Sequence, residues 1–256
     1  MAHRFSMDRR AYLKTVGAVG VSATVAGCSG GNDDAIVPGT NAAFAPFEYE
    51  EDGEIVGFDI DLAEEAIDRA GYEVRGWSDL KFDSLIPSLN NNDIDLIAAG
   101  MTINPDRKEQ IAFTDPYWES NQSVLVQSDG DFQPEGESDL SGVRVGAQKG
   151  TTGESEAERL RNEGVIAEDA LKRYNNYVLA VEDLEAGNVD AIVVDQPVAD
   201  NFAAGRDVSA AFVIETGEQF GMGMRQDDDR IGDINDALAE IRDDGTYDDL
   251  VAEWFE

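Results

Sequence analysis

Two stretches of this chain align without a gap: LNNNDIDLIAAG (89–100) and LEAGNVDAIVVD (184–195). Leu89 falls on Leu184, Ile94 on Val189, Asp95 on Asp190 and Ile97 on Ile192. In each copy a helical period ends, a polar turn follows, and a short apolar run leads to a Gly or an Asp. Such a run, bounded by turn residues, reads as a buried strand. The copies lie too far apart for a short-period solenoid, so they predict two similar lobes. Open α/β sheets bind ligands at the carboxyl ends of their strands. The echo therefore puts Gly100 and Asp195 at equivalent strand ends, facing each other if the lobes close.

The flanking sequence fits that scheme. In GFDIDLAEEAIDRAGYEV (57–74), residues Ile60, Ala63, Ala66, Ile67 and Ala70 keep helical spacing and Gly71 supplies the stop. DSLIPSL (83–89) predicts a second helix and IDLIAA (94–99) a buried strand. NPDRKEQI (104–111) predicts a capped helical turn, with Asn104 as cap and Pro105 at the first position. VRVGAQ (143–148) predicts a strand, KGTTG (149–153) a loop, and ESEAERLRN (154–162) a helix. YVLAVEDLEAG (177–187) and VDAIVVD (189–195) add a helix and a strand, and residues 230–256 two helices parted by Gly245. Alternation of this kind predicts an α/β protein with largely parallel sheets.

Charge narrows the function. Asp and Glu number 54 against 19 Lys and Arg, a formal charge of −35, which speaks against a nucleic-acid partner. With 42% hydrophobic residues in clear periods, the chain reads as folded with a solvated acidic surface suited to multimolar salt. At ~1 M salt the Debye length is roughly 3 Å, so binding must rest on short, desolvated contacts.

The beginning reads as a processing segment. DRRAYLK (8–14) precedes the small, apolar TVGAVGVSATVAGC (15–28), and the whole resembles a twin-arginine export signal ending in a lipobox, with Cys28 lipidated. Asp8 stands where such signals usually carry Ser or Thr. Residues 1–27 are expected to be removed, and SGGNDD (29–34) to tether the chain to the outer face of the membrane. His3 and Cys28 are the only His and Cys. The mature chain thus offers no His-based triad, Cys nucleophile, internal disulfide or His/Cys zinc site. No GxGxxG after a strand and no GxxxxGK[ST] occurs, and the acidic runs QDDDR (226–230) and DGDFQPEGESD (129–139) lack calcium-loop spacing. No cofactor or metal is implied. Asn121-Gln122-Ser123 forms a glycosylation sequon, a match of low specificity.

A free α-amino acid needs a bidentate cation and further donors for its carboxylate, and a carboxylate with neutral acceptors for its ammonium. Arg107 with Thr102 can serve the first, and Asp195 with the Gly100 carbonyl the second. Gly100 lets backbone approach a ligand closely. Thr151 and Thr152, opening a helix, can add N–H donors to an anion.

The motifs APFEY, GFDIDLAEEAI, FDSLIPSL, IDLIAAGMTINPDRKEQIAFTDPYW, VGAQKGTTGE and VDAIVVDQPVA resemble those of the solute-binding proteins of ABC-type polar amino-acid importers, from about Gly39 to the C-terminus. The resemblance implies the two-lobed periplasmic-binding-protein type 2 fold, whose two crossovers should fall near SVLVQ (123–127) and AFVIE (211–215). Lobe 1 is then 35–124 with 213–256, and lobe 2 is 125–212. By motif, Arg107 holds the ligand carboxylate with the Thr102 backbone and hydroxyl, Asp195 with Gly100 takes the ammonium, and Thr152 belongs to the second lobe's carboxylate loop. Phe44 and Phe82 fill sandwiching positions, although ordinary core packing would explain both. Basic-amino-acid members commonly carry an acid where this chain has Asn41; with Gln148, Asn41 suits a polar uncharged side chain, and the expectation leans to a glutamine-like ligand. The implied protein is a monomer that delivers free amino acid to a membrane permease and is no enzyme. The alternatives are a carboxylate-dependent exported dehydratase of the same fold and a receptor's ligand-sensing domain.

Overall fold

A computed structural model describes residues 34–256. The expected leader, Cys28 and most of its tether lie outside the described residues.

The strands, in chain order, are β1 (Ala35–Ile36), β2 (Pro38–Thr40), β3 (Ala43–Phe44), β4 (Glu48–Glu51), β5 (Glu54–Val56), β6 (Glu73–Val74), β7 (Ser78–Asp79), β8 (Leu96–Ile97) and β9 (Ala112–Phe113). After them come β10 (Trp118–Gln127), β11 (Val145–Gln148), β12 (Leu171–Tyr174), β13 (Ala191–Asp195), β14 (Val208–Phe220) and β15 (Gly223–Met224). They build two five-stranded sheets, one ordered β7-β2-β8-β15-β9 and the other β12-β11-β13-β10-β14, with a three-stranded sheet β3-β4-β5 and the pair β1-β6 beside them. Both are mixed rather than largely parallel: β7, β2 and β8 pair in parallel while β15 runs against its neighbours β8 and β9, and β12, β11 and β13 pair in parallel while β10 runs against its neighbours β13 and β14. The expected crossover segments 123–127 and 211–215 lie inside β10 and β14, which pair antiparallel along most of their length.

The helices follow the sequence pattern closely. α1 (Phe58–Arg69) buries Phe58, Asp59, Ile60, Leu62, Ala63, Ala66 and Ile67. A 3-10 turn over Phe82–Ser84 leads into α2 (Leu85–Asn90). α3 (Pro105–Lys108) is capped by Asn104, whose side chain accepts from the Arg107 amide at 2.8 Å. α4 (Thr152–Asn162) starts behind the cap Thr151, and α5 (Tyr177–Glu185) behind Asn176. α6 (Gln196–Gly205) follows β13, and α7 (Ile231–Asp243) and α8 (Thr246–Phe255) flank Gly245, whose φ of 89° suits a residue without a side chain. An aromatic cluster closes the apolar centre: Phe47 meets Phe58, Trp118, Phe220 and Phe255, and Phe255 stacks on Trp118 at 4.2 Å. Such pairs add about 0.5–1.5 kcal/mol each beyond the area they bury.

Candidate functional site

All ten residues singled out by sequence line one narrow, largely closed cleft: Asn41, Phe44, Phe82, Gly100, Thr102, Arg107, Gln148, Thr151, Thr152 and Asp195. Glu48 and Ala99 join them. The loops after β2 and β8 supply one wall, and the ends of β11 and β13 with the start of α4 supply the other. Asp195 closes β13, and Gly100 follows β8 by three residues, so both halves of the internal echo do end in the cavity wall. A backbone φ of 52° and a missing Cβ at Gly100 leave room for Phe44: a Cβ there would sit 2.7 Å from its ring.

Arg107 is buried at 7% exposure. Its Nη1 donates to the Thr102 carbonyl at 2.7 Å and its Nη2 to the Gly150 carbonyl at 2.9 Å, so the guanidinium touches both walls. The Phe82 ring lies 5.3 Å from its Cζ, a cation–π distance. Burial lowers the Arg107 pKa to about 10, against the opposing pull of Asp195 and Glu218. The Thr152 hydroxyl donates to the Thr102 hydroxyl at 2.8 Å, a second contact across the cavity. Thr151 caps α4 by accepting from the Glu154 amide and donates to the Gln148 carbonyl at 2.8 Å, so its hydroxyl proton is committed inside its own wall. Phe44 packs on both Phe47 and Tyr177 while lining the cavity, so core packing and wall are one role for it.

The opposite end of the cavity is rich in acceptors. Asn41 donates through Nδ2 to the Leu80 carbonyl and accepts, through Oδ1, from Gln148 Nε2, each at 2.8 Å. The two amides that were expected to offer mixed donors and acceptors thus spend donors on protein carbonyls. Gln148 Oε1, Asp195 Oδ1 and both carboxyl oxygens of Glu48 find no hydrogen-bond partner among the described residues. Glu48 is 1% exposed. Burial, with Asp59 and Asp195 nearby, pushes its carboxyl well above the usual carboxylate range. Asp195 is pushed up for the same first reason, and Glu218 adds to it. A buried carboxyl without a partner is costly, and a cation that meets it in good geometry offsets part of that cost.

Sequence reasoning quoted Glu48 within APFEY and gave it no role, because an acid on a short strand in so acidic a chain reads as surface. Its flanks, Phe47 and Tyr49, are the signal that could have found it. Glu218 and Gln122, which meet behind Thr102, carried no local signal. The sequon residue Asn121 has its Oδ1 engaged by the amides of Thr216 and Gly217. No group of His, Cys, Asp and Glu among the described residues has an arrangement that could hold a metal ion.

The chain is similar to proteins that bind amino acids. An arginine-binding extracellular protein of Bacillus subtilis, ArtP, is 34% identical over 86% of this chain and 86% of its own. The histidine-binding periplasmic protein of Escherichia coli is 35% identical over 85% of this chain and 86% of its own. Among solved structures, an ancestral arginine-binding protein bound to arginine superposes with a TM-score of 0.81 at 34% identity, covering 87% of this chain and 99% of that one. The same class of ancestral protein bound to glutamine gives 0.80 at 35% identity, covering 87% and 98%. The profile of one family spans residues 36–256, and this chain belongs to it: the bacterial extracellular solute-binding proteins, family 3.

Proposed function

We propose that this protein captures a free amino acid with a cationic side chain outside the cell and passes it to the permease of an ABC importer. The observation that carries the reading is Glu48, fully buried on the cavity wall with two unpartnered oxygens. Arg107 at one end takes the ligand's carboxylate, with backbone N–H groups at Thr102 and the start of α4 assisting. Asp195 and the Gly100 carbonyl take the α-ammonium. Glu48, with the spare oxygen of Gln148, receives a guanidinium, ammonium or imidazolium. The names of the arginine- and histidine-binding relatives support this choice over the glutamine-like ligand that Asn41 and Gln148 suggested from sequence alone. Binding without covalent chemistry follows, since the relatives are binding proteins. Similarity to an ancestral amino-acid-binding protein described as a precursor of cyclohexadienyl dehydratase keeps the dehydratase reading as the alternative.

Closure is the motion we assign. Residues 35–124 with 213–256 form one lobe and 125–212 the other, and ligand binding favours the arrangement in which Arg107, Thr102, Gly150 and Thr152 bridge them. Export by the twin-arginine route, lipidation at Cys28, a salt-adapted surface and a monomeric state complete the proposal.

Calorimetric titration in multimolar salt against arginine, lysine, histidine, glutamine, glutamate and glycine tests it. Binding of one or more cationic ligands, lost on Glu48→Gln, is the expected result. Tight glutamine binding that Glu48→Gln leaves untouched would overturn the cationic reading. Silence across the panel from a folded protein would shift weight to the dehydratase.

A further inference from the structure

Behind the cavity a chain of hydrogen bonds runs from α4 to the two long strands. Thr102 stands opposite Phe220 in an isolated antiparallel bridge. Its neighbours make the bridge's bonds, Ile103 N to the Gln219 carbonyl at 2.8 Å and Gly221 N to the Met101 carbonyl at 3.1 Å. Thr102 therefore turns its own N–H and C=O away from β14, and the carbonyl accepts from Arg107. A hydroxyl has one proton. Thr102 gives its proton to Glu218 Oε2 at 2.7 Å and takes that of Thr152 at 2.8 Å. The second oxygen of Glu218 accepts from Gln122 Nε2 at 2.8 Å and from the Thr216 hydroxyl at 2.7 Å.

Glu218 is 6% exposed, and the local register explains how β14 aims it inward. The β10–β14 pairing slips between Ser120 and Gln122. Asn121 fills the slip by accepting from the amides of Thr216 and Gly217, and Gly217 takes a φ of 61°. A bulge re-aims the side chains beside it. The carboxylate of Glu218 thereby touches β10 through Gln122 and the carboxylate end of the cavity through Thr102.

We propose that Glu218 is a positioning residue for ligand capture: by taking the Thr102 proton it makes Thr102 an acceptor for Thr152, and so latches the two cavity walls together from the long strands. The proposal rests on the reading that these walls close around a ligand, and it fixes a polarity. Because Glu218 can only accept from Thr102, the Thr102 hydroxyl has no proton for the ligand, whose carboxylate is left to Arg107 and backbone N–H groups. The sequence-based expectation had assigned that hydroxyl to the ligand. Thr152 donates across the cavity instead, and its bond exists only when the walls meet. Loss of Glu218 frees the Thr102 proton to turn toward Thr152, and the two hydroxyls cease to have a fixed donor and acceptor.

The test is a double-mutant cycle read on the dissociation rate, with arginine as probe and stopped-flow mixing. Glu218→Gln keeps size and turns one of the two acceptor oxygens into an amide donor, so Thr102 no longer faces a group that can only accept; Thr152→Val keeps shape and removes the donor. Each is expected to speed dissociation roughly fivefold to tenfold, with the association rate nearly unchanged. The double variant should be no faster than the quicker single one, since both break one relay. Multiplicative factors in the double variant, or an unchanged dissociation rate in Glu218→Gln, would overturn the latch. A purely structural role for Glu218 would lower the ligand-free melting temperature and give multiplicative rates.

A second readout needs no ligand. Fluorophores on Glu109→Cys and Glu168→Cys, both exposed positions, in a Cys28→Ser background report the distance between the walls by energy transfer. Glu218→Gln is expected to move the ligand-free distribution toward longer distances, and Thr152→Val to move it equally. An unchanged distribution in Glu218→Gln would refute the latch whatever the ligand proves to be. Failure of every amino acid to bind the parent protein would count against the proposed function alone.

Discussion

Replacing Asp59 by Asn should abolish the pH dependence of stability that this residue imposes. Asp59 sits in the first turn of α1 with no exposed surface. One carboxyl oxygen accepts from the Gly100 amide at 2.7 Å and from the Tyr117 hydroxyl, while Oδ1 finds no partner among the described residues. Burial raises its pKa from 3.8 to about 7, against the lowering effect of those two hydrogen bonds. A rise of about three pH units, at ~1.36 kcal/mol each, corresponds to roughly 4 kcal/mol. The folded chain holds this proton more tightly than the unfolded chain. The stabilisation is therefore complete below pH 3.8, falls as pH climbs, and is gone above about 7. An Asn carbonyl can accept the same two bonds, but its amide would then occupy the unpartnered position, at a cost of ~1–3 kcal/mol. Asp59→Asn should accordingly be less stable than the parent near pH 4.5 and more stable near pH 8.5, the curves crossing between. Urea unfolding at a fixed multimolar salt concentration, followed by circular dichroism over that range, measures both curves. Glu48 tilts the parent curve in the same direction, and subtracting the variant's curve isolates Asp59. Parallel curves without a crossing would refute the assignment of a buried, titrating proton to Asp59.

Arg107→Ala should leave the fold intact by circular dichroism and weaken amino-acid binding by ~3–5 kcal/mol, because a desolvated carboxylate loses its cation; retained affinity in the calorimeter would refute the clamp. With a formal charge of −35, the protein should lose thermal stability as salt is lowered from ~1 M, where the Debye length is roughly 3 Å, to ~0.1 M, where it is about 10 Å. An unchanged scanning-calorimetry midpoint would show that the acidic surface does not strain the fold.

The Arg107 end of the cavity was legible because its residues cluster along the chain. Gly100, Thr102, Asn104 and Arg107 fall within one strand-to-helix turn, and cap chemistry at Asn104 fixes where Arg107 points. Gly100 and Asp195 were found through the internal repeat. The side-chain end was not legible, because it depends on pairs distant in sequence. Gln148 Nε2 reaches Asn41 Oδ1 only after two strands from different sheets meet, and that contact changes what both amides can offer a ligand. Glu48 is one acid among 54 and acquires meaning only from its burial. The mixed character of the sheets escaped for a similar reason. β9 and β15 are two residues long, too short for an alternating pattern, and their direction is set by partners across the sheet.

The threading of the sheets sets an order of assembly. Every strand of the β12-β11-β13-β10-β14 sheet comes from one continuous stretch, residues 118–220. The other sheet has its four remaining strands before residue 114, yet β15, from Gly223–Met224, lies between β8 and β9 in its middle. During synthesis the later-starting sheet can therefore be complete while the earlier one still lacks an inner strand. Until residue 224 emerges, β8 and β9 expose unpaired edges, the feature that invites mispairing between nascent chains. The contacts that close this gap span about half the described chain, so they form slowly. A slow refolding phase should report β15 entering its slot, with α7 and α8 following as the last elements to dock.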